Sequence, residues 1–177
     1  VAGSLQGRAQ GGDFSANGLM DLSGVLDIEA NQTVALADVD ARSIDVSTAN
    51  GGILGDGTIS AQGTATFNAA GFLQLGDLTA SQINTRSGGA TTVGGQWRAA
   101  SIEVASPFLP FLTDGILDAG VEGQIALVST NANGVLVGDP SESGEFGEFG
   151  GYFHRSIGLS GCVDVDAHPG GLRSMLV

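Results

Sequence analysis

The 177-residue chain has no lysine, a single cysteine, two histidines and no long apolar run. Each shortage removes a class of explanation. Nineteen acidic residues against six arginines give a net charge of −13. That leaves no basic patch for phosphates and sets aside nucleic acid and anionic membrane surfaces. Cys162 alone cannot close an intrachain disulfide, so cysteine usage names no redox compartment. No stretch approaches the ~18 apolar residues of a membrane helix, and membrane insertion of this segment is not expected. Val1 opens in mid-pattern with no charged-then-apolar leader. The expectation is a piece of a longer chain, or one whose processed start is missing. Long amphipathic helices are disfavoured as well, because the chain carries 30 glycines and each costs roughly 1 kcal/mol in a helix interior.

What is present is repetition. Three copies of one pattern run from Ile44-Asp45-Val46 to Leu54-Gly55-Asp56, from Ala65-Thr66-Phe67 to Leu75-Gly76-Asp77, and from Ile83-Asn84-Thr85 to Val93-Gly94-Gly95. Each copy continues to an apolar and then a small residue: Ile59-Ser60-Ala61, Leu78-Thr79-Ala80 and Trp97-Arg98-Ala99. Extended in both directions, the first-strand anchors are Leu26, Ile44, Ala65, Ile83, Ile102 and Ile125, separated by 18, 21, 18, 19 and 23 residues. Ten residues beyond the first five stand Leu36, Leu54, Leu75, Val93 and Leu112, and Val137 follows the sixth after twelve.

Inside each strand the alternation is of period two, as in Ile102-Glu103-Val104-Ala105, so one side chain in two faces an interior. Period two excludes an array of helical hairpins. A repeat of about 20 residues with three short strands, turned at Gly, Asn and Asp, predicts an all-β parallel β-helix in which each strand pairs with its equivalent one coil away. The columns Leu26/Ile44/Ala65/Ile83/Ile102/Ile125 and Ile28/Val46/Phe67/Thr85/Val104/Leu127 are the expected interior ladders, with Thr85 as the polar member. Ala41, Ala61, Ala80, Ala99 and Ala119 mark the corner before the next coil.

The coils are expected over residues 1–139. Gly12-Asp13-Phe14-Ser15-Ala16 matches Gly76-Asp77-Leu78-Thr79-Ala80, which makes the first coil incomplete and leaves Leu19, Met20 and Leu22 in a lengthened connection. Residues 140–177 break the period: 140–151 read as a protruding loop or cap, Cys162-Val163-Asp164-Val165-Asp166-Ala167 as one further strand, and His168-Pro169-Gly170-Gly171 as its end. Phe146, Phe149, Tyr152 and Phe153 are expected to cover the end of the last coil.

Candidate chemistry is sparse. Asp38, Asp56, Asp77, Asp114 and Asp139 share one spacing, broken by Gly95. They read as solvated or turn-capping carboxylates, with a cation between them as the sharper alternative. Gly51-Gly52-Ile53-Leu54-Gly55-Asp56 faintly resembles a calcium-binding nonapeptide but lacks its nine-residue repetition. Asp45 and Glu103 project from the strand position of Asp27, with Thr66, Asn84 and Ala126 at the remaining members, as on a solvated face. Arg42, Arg86 and Arg98 occupy different registers and form no evident anion clamp. His154, His168, Ser156 and Cys162 lie in the irregular end with no nucleophile motif around them. Pro107-Phe108-Leu109-Pro110-Phe111-Leu112 is the most apolar turn and strand, read as interior filling before partner contact, and Pro110 removes a ladder donor. No catalytic, cofactor-binding or metal residue is assigned.

The register of the coils, and above all Gly123-Gln124-Ile125-Ala126-Leu127-Val128-Ser129-Thr130-Asn131-Ala132 followed by Val135-Leu136-Val137-Gly138-Asp139, resembles the passenger repeats of filamentous haemagglutinin-like and autotransporter adhesins, over about residues 10 to 139. The resemblance implies a right-handed, single-stranded parallel β-helix, secreted across an outer membrane and displayed on a bacterial surface as a stiff, non-catalytic stalk and adhesive face. A host or neighbouring-cell glycan or protein is then the expected partner, with a secretion partner or membrane barrel elsewhere. The alternative is a β-helix protein that binds or cleaves polysaccharide.

Overall fold

In the computed structural model, described for residues 3–108, 115–120 and 123–130 and for the strand backbones at 111–112, 159–160, 162–166 and 175–176, the predicted anchors form one ladder. Leu26, Ile44, Ala65, Ile83, Ile102 and Ile125 each pair in parallel with the next. Leu5 precedes them and Val163 follows. The chain is a parallel β-helix of three sheets, and among the described residues these have nine, six and seven strands and there is no helix.

One coil shows the plan. Ser43–Thr48 lies in the first sheet, Ile53–Gly55 in the second and Ile59–Ala61 in the third. The chain then returns to Thr64–Ala69, directly beside its starting strand. First-sheet strands are long enough to place three side chains inward. In Ser43–Thr48 these are Ile44, Val46 and Thr48, all buried, while Asp45 points out. The second and third sheets contribute one or two interior residues per coil, such as Ile53 and Ile59. Removing these apolar side chains from water is the main favourable term, roughly 1.5–3 kcal/mol for each large one.

Coils share the interior volume unevenly. Where the first sheet supplies Ala65, its neighbour two residues on is Phe67, fully buried. The next coil supplies Thr85, Ser87 and Thr91, which are small and buried, together with Trp97, also fully buried. Large beside small keeps the density that a packed interior needs. The buried hydroxyls are all satisfied: Thr85 Oγ1 donates to the Glu103 carbonyl at 3.1 Å, Ser87 Oγ to Gly89 O at 2.7 Å, and Ser87 and Thr91 meet at 2.9 Å. Thr85 is thus an interior member of its column, as its place in the pattern predicts.

Two registers differ from the sequence expectation. Phe14–Ala16 pairs with Val34–Leu36 in the second sheet, not with the third-sheet strands that its resemblance to Gly76–Ala80 suggests. Met20–Asp21 supplies the third-sheet strand and Leu5–Ala9 the first, so this coil has all three strands. In the coil beginning at Ile44 the position facing Leu36 and Leu75 is taken by Gly55, one residue after Leu54. The preceding corner is one residue longer there, and a Cβ at Gly55 would stand 2.8 Å from Leu75 Cδ2 and 2.9 Å from Ile59 Cδ1. Its neighbours already fill that space, so Leu54 turns outward and is only half-buried.

Beyond residue 130 the described backbone includes Cys162–Asp166, paired in parallel with Gln124–Ser129 as the resumed alternation predicts, and Met175–Leu176, which lies antiparallel on its far edge. Val137, Asp139, the segment 140–151 and the aromatic residues 146, 149, 152 and 153 lie outside the described residues.

Candidate functional surface

The outward side of the first sheet carries two polar columns. One runs Gln6, Asp27, Asp45, Thr66, Asn84, Glu103, Ala126 and the other Arg8, Glu29, Ser47, Asn68, Arg86, Ala105. Asp27 and Asp45 therefore face each other across one strand step, an arrangement in which like charges repel. The repulsion is partly met on one side only: Gln6 Nε2 donates to Asp27 Oδ2 at 2.8 Å, and Arg8 pairs with Glu29 at 2.7 Å. Asp45 has no such partner among the described residues. Lost hydration against the sheet, then the charges of Asp27 and Glu29, push its carboxyl above the usual carboxylate range. Asp45 and Glu103 share a column but stand three strand steps apart, about 14 Å at ~4.8 Å per step. That is beyond the ~5–9.5 Å at which two carboxylates act together on a glycosidic bond.

The aspartates of the second corner turn out to be two sets. This corner has two residues in one coil and three in the next. Asp38 and Asp77 sit in the short corners, and the longer corners that follow present an extra backbone amide with no carbonyl opposite. The carboxylates take it: Thr58 N donates to Asp38 Oδ1 and Gln96 N to Asp77 Oδ1, both at 2.8 Å. Gly57 and Gly95 lie directly below. A Cβ on Gly95 would be 2.5 Å from Asp77 Oδ1 and 2.8 Å from Asp77 N, and one on Gly57 would be 2.5 Å from Asp38 Oδ1. Gly95 therefore does not interrupt an aspartate column; it is the counterpart of Gly57. Asp56 is displaced one place from that column, beside Gly76, whose N–H bonds to Gly55 O. Asp38 and Asp77 do cap amides, but those of the next coil and not, as the sequence predicts, of their own turn. Among the described residues no three His, Cys, Asp or Glu side chains gather as metal ligands would. Asp114 and Asp139 lie outside the described residues.

The arginines are dispersed, as their registers predict. Arg98 points outward from the third sheet and reaches Asp118 at 3.5 Å, whereas Arg42 sits at the third corner and Arg86 on the first sheet. Neither Arg42 nor Arg86 has an ion-pair partner among the described residues. Phe108 is 37% exposed, so it does not fill the interior. The paired strand that follows is only Phe111–Leu112, consistent with the donor lost at Pro110. His154, Ser156, His168 and the Cys162 side chain lie outside the described residues.

The feature that the spacing does not announce is a groove of about 540 Å³ along the first corner, lined by Thr48, Asn68, Ala69, Ala70, Arg86, Ser87, Gly88, Pro107 and Thr130. Each residue type has a structural reason. Gly88 is required, because a Cβ there would strike the Ala70 carbonyl, and Ala70 keeps the floor low one coil earlier. Thr48 Oγ1 accepts from Ala70 N at 3.2 Å and donates to Gly51 O at 2.6 Å, so its hydroxyl is committed. Arg86 and Asn68, consecutive in one outward column, are exposed.

No protein-family model, curated protein or solved structure matches this chain.

The surface therefore has to be read from its own chemistry. In sequence the groove is visible only as Asn68-Ala69-Ala70 and Arg86-Ser87-Gly88, two words of polar, small, small one coil apart. Those words become a floor and a wall once the strands are paired.

Proposed function

We propose that this chain is a non-catalytic β-helical segment of a secreted bacterial surface protein of the filamentous haemagglutinin-like or autotransporter kind, serving as a rigid stalk with an adhesive face. The observation that carries the reading is the unbroken parallel ladder from Leu5 to Ile125, coil on coil with no change of sheet. A stack of this kind is quasi-one-dimensional. Each coil is held by its two neighbours, and bending it means breaking axial hydrogen bonds on one side. The net charge of −13 discourages lateral clumping of neighbouring stalks.

The dispersal of Asp45, Glu103 and the arginines supports a surface without paired acid and base. Asp27 and Asp45 are close enough in register, but they lie on the face of the first sheet and line no part of the groove. A bacterium displaying the parent protein provides the test. Replacing residues 25–118 with a Gly/Ser linker of equal residue count should abolish adherence to host-cell monolayers, with surface abundance matched by antibody. Undiminished adherence with the flexible linker would remove the stalk reading.

A further inference from the structure

We infer that the first-corner groove binds an extended saccharide that carries a single uronic-acid residue among neutral sugars, with its carboxylate seated on Arg86 and ring hydroxyls on Asn68. This rests on the adhesive part of the function proposed above and names the ligand class for it.

Four features select that chemistry. The first is length. The lining runs from Thr48 through the coils of Asn68, Arg86 and Pro107 to Thr130, four strand steps or about 19 Å along the axis. An extended ligand fits this better than a single ring. The second is charge. Arg86 is a guanidinium without an ion-pair partner among the described residues of a chain with a net charge of −13. A planar fork of N–H donors matches one carboxylate, whereas the surrounding negative field disfavours a polyanion such as a nucleic acid or a polyuronate.

The third feature is the state of the backbone. A peptide strand would need unpaired amides to bind by strand addition. Here Ala70 N is held by Thr48 Oγ1, Gly88 N by Ala69 O and Gly89 N by Gly71 O. The fourth is the lining itself. It contains no Leu, Ile, Phe or Trp to receive an apolar side chain, but an exposed amide, an exposed cation and a smooth floor of Ala70 and Gly88 on which a sugar ring can lie.

The experiment titrates the whole 177-residue chain with maltotetraose carrying one terminal glucuronate in place of glucose, with neutral maltotetraose and with an unblocked tetra-alanine peptide, followed by calorimetry. The monouronate should bind about tenfold more tightly than maltotetraose, the weight of one charge-assisted bidentate contact. Arg86→Gln should remove that preference, whereas Arg42→Gln, a change to the other unpaired arginine, should keep it. Ala70→Gln, which raises the exposed floor, should block both saccharides while the circular dichroism stays that of the parent. Equal binding of the acidic and neutral saccharides, no binding of either, equal loss in Arg42→Gln, or tighter binding of the peptide would each overturn the assignment. The linker replacement described above removes the groove together with the coils, whereas the titration is run on intact coils; loss of saccharide binding here leaves the stalk reading standing, and undiminished adherence with the linker leaves the saccharide affinity of the groove standing.

Discussion

At the third corner the chain turns on Ala41, Ala61, Ala80 and Ala119, all buried and each at the same place in its coil, with Ala99 half-buried in the same series. At the second corner a two-residue connection is twice followed by a three-residue one, 37–38 by 56–58 and 76–77 by 94–96. Asp38 and Asp77 stand over Gly57 and Gly95, and each carboxylate holds an amide of the coil below. The third corner varies in length too, with one residue between Ala41 and Ser43, two between Ala61 and Thr64 and four between Ala119 and Gln124, yet its opening position needs only a side chain small enough to stack on its own copy. The added residue of the second corner leaves an amide unmatched, and the exposed hydrogen bond that meets it is worth about 0.5–1.5 kcal/mol. The aspartates supply the acceptor and the glycines the room beneath it.

The sharpest break in that arrangement is at Trp97, which ties the second corner to the interior: its ring is fully buried and its indole N–H reaches Gly76 O at 3.0 Å. Trp97→Ala should cost about 3–5 kcal/mol, as large-to-small core changes do, and a urea titration followed by circular dichroism will show it. Next in size is Gly95→Ala. Its Cβ would press on the Asp77 backbone, and overpacking of this kind costs about 1–3 kcal/mol. Gly94→Ala is the internal control, because a Cβ there meets only Leu75 O at an ordinary 3.5 Å, and its melting temperature should stay that of the parent.

Asp77→Ala should cost about 1 kcal/mol by leaving Gln96 N without its acceptor, and Asp77→Asn, which keeps a side-chain oxygen, should recover most of it. If all three second-corner variants melt together with Gly94→Ala, the contrast between the corners has no energetic content.

The smallest effect is on the first sheet. The Asp45 carboxyl is held above its usual 3.8 by lost hydration and then by Asp27 and Glu29. The unfolded chain gives up this proton at lower pH than the folded one. The stability linked to it is therefore full below the unfolded value and is lost as pH rises through the folded one. Asp45→Asn should melt slightly higher than the parent near neutral pH and lose that advantage well below 3.8, in a pair of thermal scans.

The ladder of Leu26, Ile44, Ala65, Ile83, Ile102 and Ile125 was legible because first-sheet strands keep a strict inward alternation and register is fixed wherever one face is buried. The errors all fall at turns. The ten-residue offset puts Leu54 in register with Leu36 and Leu75, where Gly55 stands, because a fixed offset cannot register an extra corner residue. Phe14 was assigned to the third sheet because its word matches Leu78, although its hydrogen bonds go to the second. Asp56 was grouped with Asp38 for the same reason as Leu54. The groove left almost no trace, since Asn68, Arg86, Pro107 and Thr130 are far apart in the chain and carry no common motif.

Period and alternation by themselves determined that backbone would stack coil upon coil and which side of each first-sheet strand would be oily, because both follow from local geometry repeated along the chain. Which residue occupies each corner, which amide needs a carboxylate, and where small residues leave a channel beside Arg86 were decided only when neighbouring coils met. Those outcomes depend on the volume and the hydrogen bonds that one coil leaves for the next, and no single coil contains that information.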